Sequence, residues 1–182
     1  HHRCEGLRVT GSAKSNARIL AGECFCRAVS YAVADEFGYA LNCHCSNCRR
    51  TTGAAFKPFA GIARDKFGVI RGADNLMIYG DEAGHDAHCQ KCGSLLYSVV
   101  REDAFVHVAM GTLVDDPSIR PTAHIFVGSK ASWFAITDDL PQYREHVVPR
   151  WASHAAPGIH ARRRRFISGR EPGGKGDRPW PN

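Results

Sequence analysis

Apolar and polar positions alternate in short runs along most of this chain, and no segment keeps a long helical period. Val29, Tyr31 and Val33 alternate with small residues, the period-two pattern of a half-buried strand. Residues 18–35 therefore read as strand, turn, strand, with Cys24-Phe25-Cys26 in the turn. Tyr39 to Asn42 is a short strand feeding Cys43-His44-Cys45-Ser46-Asn47-Cys48, after which Arg49 to Gly53 turns the chain. Ala54 to Ile62 runs apolar and predicts a strand, which Pro58 assigns to an edge or a bend. Phe67 to Arg71, Leu76 to Tyr79, Leu95 to Val100, Phe105 to Met110 and His124 to Val127 continue the series, and Gly72-Ala73-Asp74-Asn75 is a good turn. Residues 80–87 are polar and lead into Cys89-Gln90-Lys91-Cys92-Gly93. Trp133, Phe134 and Ile136 are expected to pack, with Trp133 in the core. Strands at this spacing predict an all-β domain.

Composition adds limits. A chain of 182 residues with 43% apolar and 23% charged residues is long enough for one domain with a real core. No run of eighteen apolar residues exists, so no membrane span is expected, and no export-signal pattern opens the chain. The chain starts on His1, and residues 1–17 are set aside as a leader outside the fold. The domain is expected over 18–145. Residues 144–182 hold nine Lys and Arg against three Asp and Glu, which accounts for the whole net charge of +6. Residues 146–182, rich in Arg, Gly and Pro, predict a disordered basic tail. The run Arg162 to Arg165 suits phosphates, but without aromatic interleaving or a motif, nucleic acid is not the expected partner.

The cysteines carry the chemistry. Seven of eight fall in turns, as Cys24-x-Cys26, Cys43-x-Cys45-x-x-Cys48 and Cys89-x-x-Cys92, with Cys4 alone. Clustered thiols without an export signal indicate metal in a reducing compartment, so the expected location is cytoplasmic. Cys24, Cys26, Cys89 and Cys92 make a complete thiolate set from two turns, the logic of a zinc ribbon. Buried free thiols and a redox disulfide at Cys89 and Cys92 are the alternatives. Cys43, Cys45 and Cys48 leave a tetrahedral zinc one ligand short. Either His44, His85 or His88 closes a second structural site, or the position stays open for a substrate thiol, whose pKa zinc would lower. An iron–sulfur cluster is the rival metal, although the spacing is not its usual one.

These residues resemble the glutathione-dependent formaldehyde-activating (GFA) family, which also includes centromere protein V. The resemblance rests on Gly22-Glu23-Cys24-Phe25-Cys26, the run Cys43 to Phe56, Cys89-Gln90-Lys91-Cys92-Gly93-Ser94, Pro121-Thr122-Ala123-His124-Ile125, Ser129 to Trp133, and Asp138 to Tyr143. It implies antiparallel sheets of the zinc-ribbon-derived (β-tent) type with short loops. It implies two zinc ions per chain, a structural one on Cys24, Cys26, Cys89 and Cys92 and a catalytic one on Cys43, Cys45 and Cys48. It also implies a carbon–sulfur lyase-type activity that adds glutathione to formaldehyde, giving S-(hydroxymethyl)glutathione. Arg27 stands where the family pattern has glycine, and His88 where an apolar residue is common.

Three further assignments follow. His124 is a proton-donor candidate. Arg49 and Arg50 are candidates for a substrate carboxylate. Residues 129–133 are candidates to cover the pocket. Two functions are expected to compete: a zinc-dependent lyase using a thiol such as glutathione and a small aldehyde, and a non-catalytic double-zinc binding module acting through protein or nucleic-acid contacts.

Overall fold

The alternation around Tyr31 builds the smaller of two sheets. β1 (Ile19–Glu23) pairs antiparallel with β2 (Ser30–Ala34), and β2 pairs antiparallel with β5 (Phe67–Arg71). These assignments come from a computed structural model that describes residues 17–101 and 103–147. The larger sheet is seven-stranded. Its strands are β3 (Tyr39–Cys43), β4 (Lys57–Ala63), β6 (Leu76–Gly80), β7 (His85–Cys89), β8 (Leu95–Val100), β9 (Phe105–Ala109) and β10 (His124–Ile125). They lie in the order β10-β3-β4-β9-β8-β7-β6. Every pair is antiparallel except β10 with β3, which is parallel.

The main core lies between the sheets. Leu20, Tyr31, Val33 and Phe67 of the small sheet meet Ile62, Val99, Val106 and Val108 of the large one, all buried. A second apolar cluster gathers Leu41, Cys43, Phe59 and Ile125, with Cys45 and Cys48 packed against it. Apolar burial of this kind supplies the main driving force for folding. The three-cysteine turn is thus built onto packed strands, which limits its freedom.

Five expectations are corrected. Arg49 to Gly53, expected as a turn, instead complete and close a short helix, α1 (Ser46–Thr52). Its ends are set locally: the Cys45 sulfur accepts the Cys48 N–H, and Gly53 closes it at φ +64°. Seven residues are too few to show a helical period. Residues 85–87, expected as the end of a polar lead-in over 80–87, open strand β7 (His85–Cys89). Only Ala87 and Cys89 of its five side chains face the core, so the run looks polar.

Pro58 sits in an inner strand, not at an edge. The Asn42 N–H bonds the Ala123 carbonyl, so Asn42 and its partner Pro58 point their backbone groups away from each other. The missing N–H of Pro58 therefore faces β9, whose pairing begins only at Phe59. Finally, Trp133 is 72% exposed rather than core, and only its neighbour Phe134 turns inward, onto Phe56 and His44. The last strand is also shorter than expected, because Phe126 takes φ +57° and ends it.

The leader and tail assignments lie, apart from residues 17, 146 and 147, outside the described residues. No described helix is long and apolar enough to cross a membrane.

Candidate metal centres and the adjoining groove

Cys24 and Cys26 occupy the turn between β1 and β2, and Cys89 and Cys92 the turn between β7 and β8. Packing of the small sheet on the large one brings the turns together, so that all four sulfurs lie within 4.8 Å of one another. Cys24 Sγ is 3.7 Å from Cys26 Sγ, which is 3.8 Å from Cys89 Sγ. A regular tetrahedron with zinc–sulfur bonds of about 2.3 Å has edges of about 3.8 Å, so these separations fit zinc. The backbone supports the arrangement. Val29 N–H donates to Cys24 Sγ at 3.3 Å, and Gly93 N–H to the Cys89 carbonyl at 2.8 Å. Gly93 has φ +77° and Arg27 φ +60°. The position where the family pattern has glycine thus takes the left-handed backbone that glycine adopts most easily. Here an arginine bears that strain while its guanidinium pairs with Glu23 at 3.2 Å.

Cys43, Cys45 and Cys48 form a separate group, their sulfurs also within 4.8 Å of one another. Cys43 ends β3, Cys45 caps α1 and Cys48 sits in its first turn. Cys45 is the thiol that ionises most readily, with its pKa held down to about 2. The thiols of Cys43 and Cys48 point hydrogen bonds at it, and the backbone N–H groups of Cys48 and Asn47 add theirs. Cys48 is pushed up, first by Cys43 and then by Cys45. One thiolate stabilised by two thiols is the starting point for a metal to displace two protons.

Among the described residues no histidine joins either sulfur group. His85 hydrogen-bonds the Asp81 carbonyl. His88 links Thr51 Oγ1, at 3.3 Å, to the Gly93 carbonyl, at 3.2 Å. His44 is fully buried and turns to His124, with Nε2 2.7 Å from Nδ1. The other His124 ring nitrogen lies 3.1 Å from both carboxylate oxygens of Asp138. Burial, the first cause, holds the His44 pKa down to about 4. His44 Nδ1 is buried without a hydrogen-bond partner among the described residues.

The two arginines diverge. Consecutive residues of a helix point about 100° apart: Arg50 is exposed, while Arg49 is half-buried with an unpartnered Nε. Residues 129–133 do not line the groove beside α1, although Lys130 Nζ ties their turn to the Phe134 carbonyl.

That groove, of about 400 Å³, runs between the last turn of α1 and the Cys92 turn. Thr51, Thr52, Phe56, Lys57, Ser94 and Thr112 are among its lining residues. A larger depression of about 530 Å³ lies at Glu82, Ala83, His85 and Asp103, away from both sulfur groups. Of these two depressions the smaller one touches a cysteine turn, at Cys92, and the last turn of α1, at Thr51 and Thr52.

The profile of a family described as glutathione-dependent formaldehyde-activating enzyme matches residues 19–129, more than half of the chain and including both sulfur groups. The chain belongs to this family. A crystal structure of a Rhodobacter sphaeroides protein is 29% identical, covering 56% of this chain and 92% of its own, with a TM-score of 0.45. No curated protein matches.

Within this GFA-family chain, two features of the site escaped the sequence. Asp138 stands in a motif that carries the resemblance, but its pairing with His124, fourteen residues away in β10, gave no signal. Lys57 did give one: it is the single charged residue in the apolar run Ala54 to Ile62, yet it is only 6% exposed. A lone charge in a buried strand marks a group with a task or a partner.

Proposed function

We propose that this chain is a zinc-dependent carbon–sulfur lyase-type enzyme that joins glutathione, or a similar thiol, to formaldehyde or a small aldehyde. One observation carries the reading: three sulfurs converge at Cys43, Cys45 and Cys48 with no fourth donor among the described residues. Cys24, Cys26, Cys89 and Cys92 would hold a structural zinc that pins the two sheets' turns, consistent with its four-sulfur geometry. Cys43, Cys45 and Cys48 would hold the second zinc, which when bound supplies the Lewis acidity that keeps a substrate thiol ionised near neutral pH.

The residues then do the following. Cys45 and the N-terminal amides of α1 concentrate negative charge at the turn and fix where the sulfurs point. Phe56, Phe134 and buried His44 wall one side against water. The substrate sulfur forms a bond to the aldehyde carbon, the carbonyl π pair moves to oxygen, and the thiol's proton ends on that oxygen. No oxidant or reductant is required. His124 assists the proton's transfer only through His44, since both of its ring nitrogens are engaged. Ionised, reduced cysteines suit a reducing cytoplasm.

The test is exchange spectroscopy by NMR on glutathione and formaldehyde. Zinc-loaded protein should accelerate interconversion of free and adduct forms above the uncatalysed rate. An unchanged rate would reject this activity and favour a non-catalytic double-zinc module.

A further inference from the structure

Lys57 is paired directly with Cys43 across β3 and β4, so the two side chains stand on the same face next to each other. Its ammonium is buried, 6% exposed, and donates to Ser98 Oγ at 3.0 Å. Ser98 Oγ in turn donates to Asp86 Oδ1. No carboxylate pairs with Lys57 directly among the described residues. An ammonium has three donors, and here one is used by the Ser98 hydroxyl while Nζ also lies over the Phe59 ring, 5.9 Å from its centroid. A buried charge with donors to spare is costly unless an anion completes it. The same residue lines the groove between α1 and the Cys92 turn.

We infer that Lys57 selects the substrate by binding a carboxylate of the thiol while its sulfur sits at the Cys43, Cys45 and Cys48 group. This rests on the thiol-adduct reading above. The favoured substrate class is a thiol carrying a carboxylate a few bonds from sulfur, not a neutral thiol. Lys57 meets this need better than Arg50, which points to solvent, because a buried ammonium makes a stronger charge-assisted bond than an exposed one. Asp86, one hydroxyl away, tempers the positive charge and so tunes the affinity.

The experiment measures calorimetric affinity of the zinc-loaded full chain for glutathione and for its diethyl ester. The wild type should bind glutathione about tenfold or more tighter than the ester, the size of one charge-assisted contact. Lys57→Met should abolish that preference, weakening glutathione about tenfold and moving the ester less than about twofold. Equal affinities in the wild type, or a preference retained in Lys57→Met, overturn the assignment. If Lys57→Met loses zinc or its β circular dichroism, Asp86→Asn decides. Freeing the ammonium of its indirect counter-charge should widen the preference severalfold, and an unchanged or narrower one overturns the assignment. The same samples go into the exchange assay. A chain that prefers glutathione but does not accelerate exchange keeps Lys57 and loses the lyase reading. A chain that accelerates exchange but binds both thiols equally keeps the lyase reading and loses Lys57.

Discussion

His44 Nε2 lies 2.7 Å from His124 Nδ1, and both rings are buried. Two imidazoles at that distance need one donor and one acceptor. With Asp138 accepting from His124 Nε2, the proton between the rings belongs to His44, whose Nδ1 is then bare. The chain from Asp138 thus fixes the ring beside Cys43 and Cys45. Replacing His124 by Leu should leave His44 Nε2 buried and unpaired and cost about 1–3 kcal/mol. Asp138→Ala, at a half-exposed carboxylate, should cost about 1 kcal/mol or less. Urea unfolding of the zinc-loaded proteins measures both, and equal losses would contradict the ordering.

The sulfur groups predict distinct zinc losses. Wild-type protein should carry two zinc ions, and Cys45→Ser one, with the fold kept. Cys89→Ser, at a buried member of the four-sulfur group, should lose the cooperative unfolding transition as well as zinc, because structural zinc energy is folding energy. Metal content by mass spectrometry and near-ultraviolet circular dichroism read both. Two zinc ions in Cys45→Ser would contradict the assignment of the second group.

Gly72 ties the small sheet to the first cysteine turn. It has φ +74°, and a Cβ there would stand 1.9 Å from the Ala28 carbonyl oxygen, a backbone atom that cannot rotate away. Gly72→Ala should cost about 1–2 kcal/mol for the left-handed backbone and roughly 1–3 kcal/mol more for the overlap. Thermal unfolding should show a drop of many degrees, whereas Gly68→Ala, whose Cβ meets nothing within 4 Å and whose φ is not positive, should fall far less.

His107 supplies a pH test away from the sulfurs. Its Nε2 pairs with the Tyr39 hydroxyl at 2.7 Å and its ring stacks on Phe59 at 4.2 Å. Burial, then the charges of Lys57 and Arg101, hold its pKa down to about 3. Unfolded histidine titrates near 6.5. Between those values the unfolded chain binds a proton that the folded chain refuses, so stability falls as pH drops from about 6.5 toward 3, by up to about 1.4 kcal/mol per pH unit. Above that window the group adds no slope. His107→Gln should flatten the stability profile between pH 6.5 and 4.5 relative to wild type. Parallel profiles would show that His107 is not held neutral.

Some of this was legible before folding. Val29, Tyr31 and Val33 announce β2 because a strand repeats every two residues and one face is buried. The same rule fails for β7, where only Ala87 and Cys89 meet the core. It fails for Pro58 too, because the cost of a proline depends on which neighbour its missing N–H would face. Trp133 was misread because burial is a property of the neighbours, and its neighbour Phe134 took the inward place.

The sequence by itself determined the strand content and the supply of thiols in three turns, since both depend on residues a few positions apart. Only the tertiary structure decided which distant groups share a point. Cys26 meets Cys89 across 63 positions, His44 meets His124 across 80, and Lys57 meets Ser98 across 41. The first is set by how the two sheets pack and the other two by strand order and register in the large sheet, where a shift of one residue in β4 would turn Lys57 to the opposite face from Cys43.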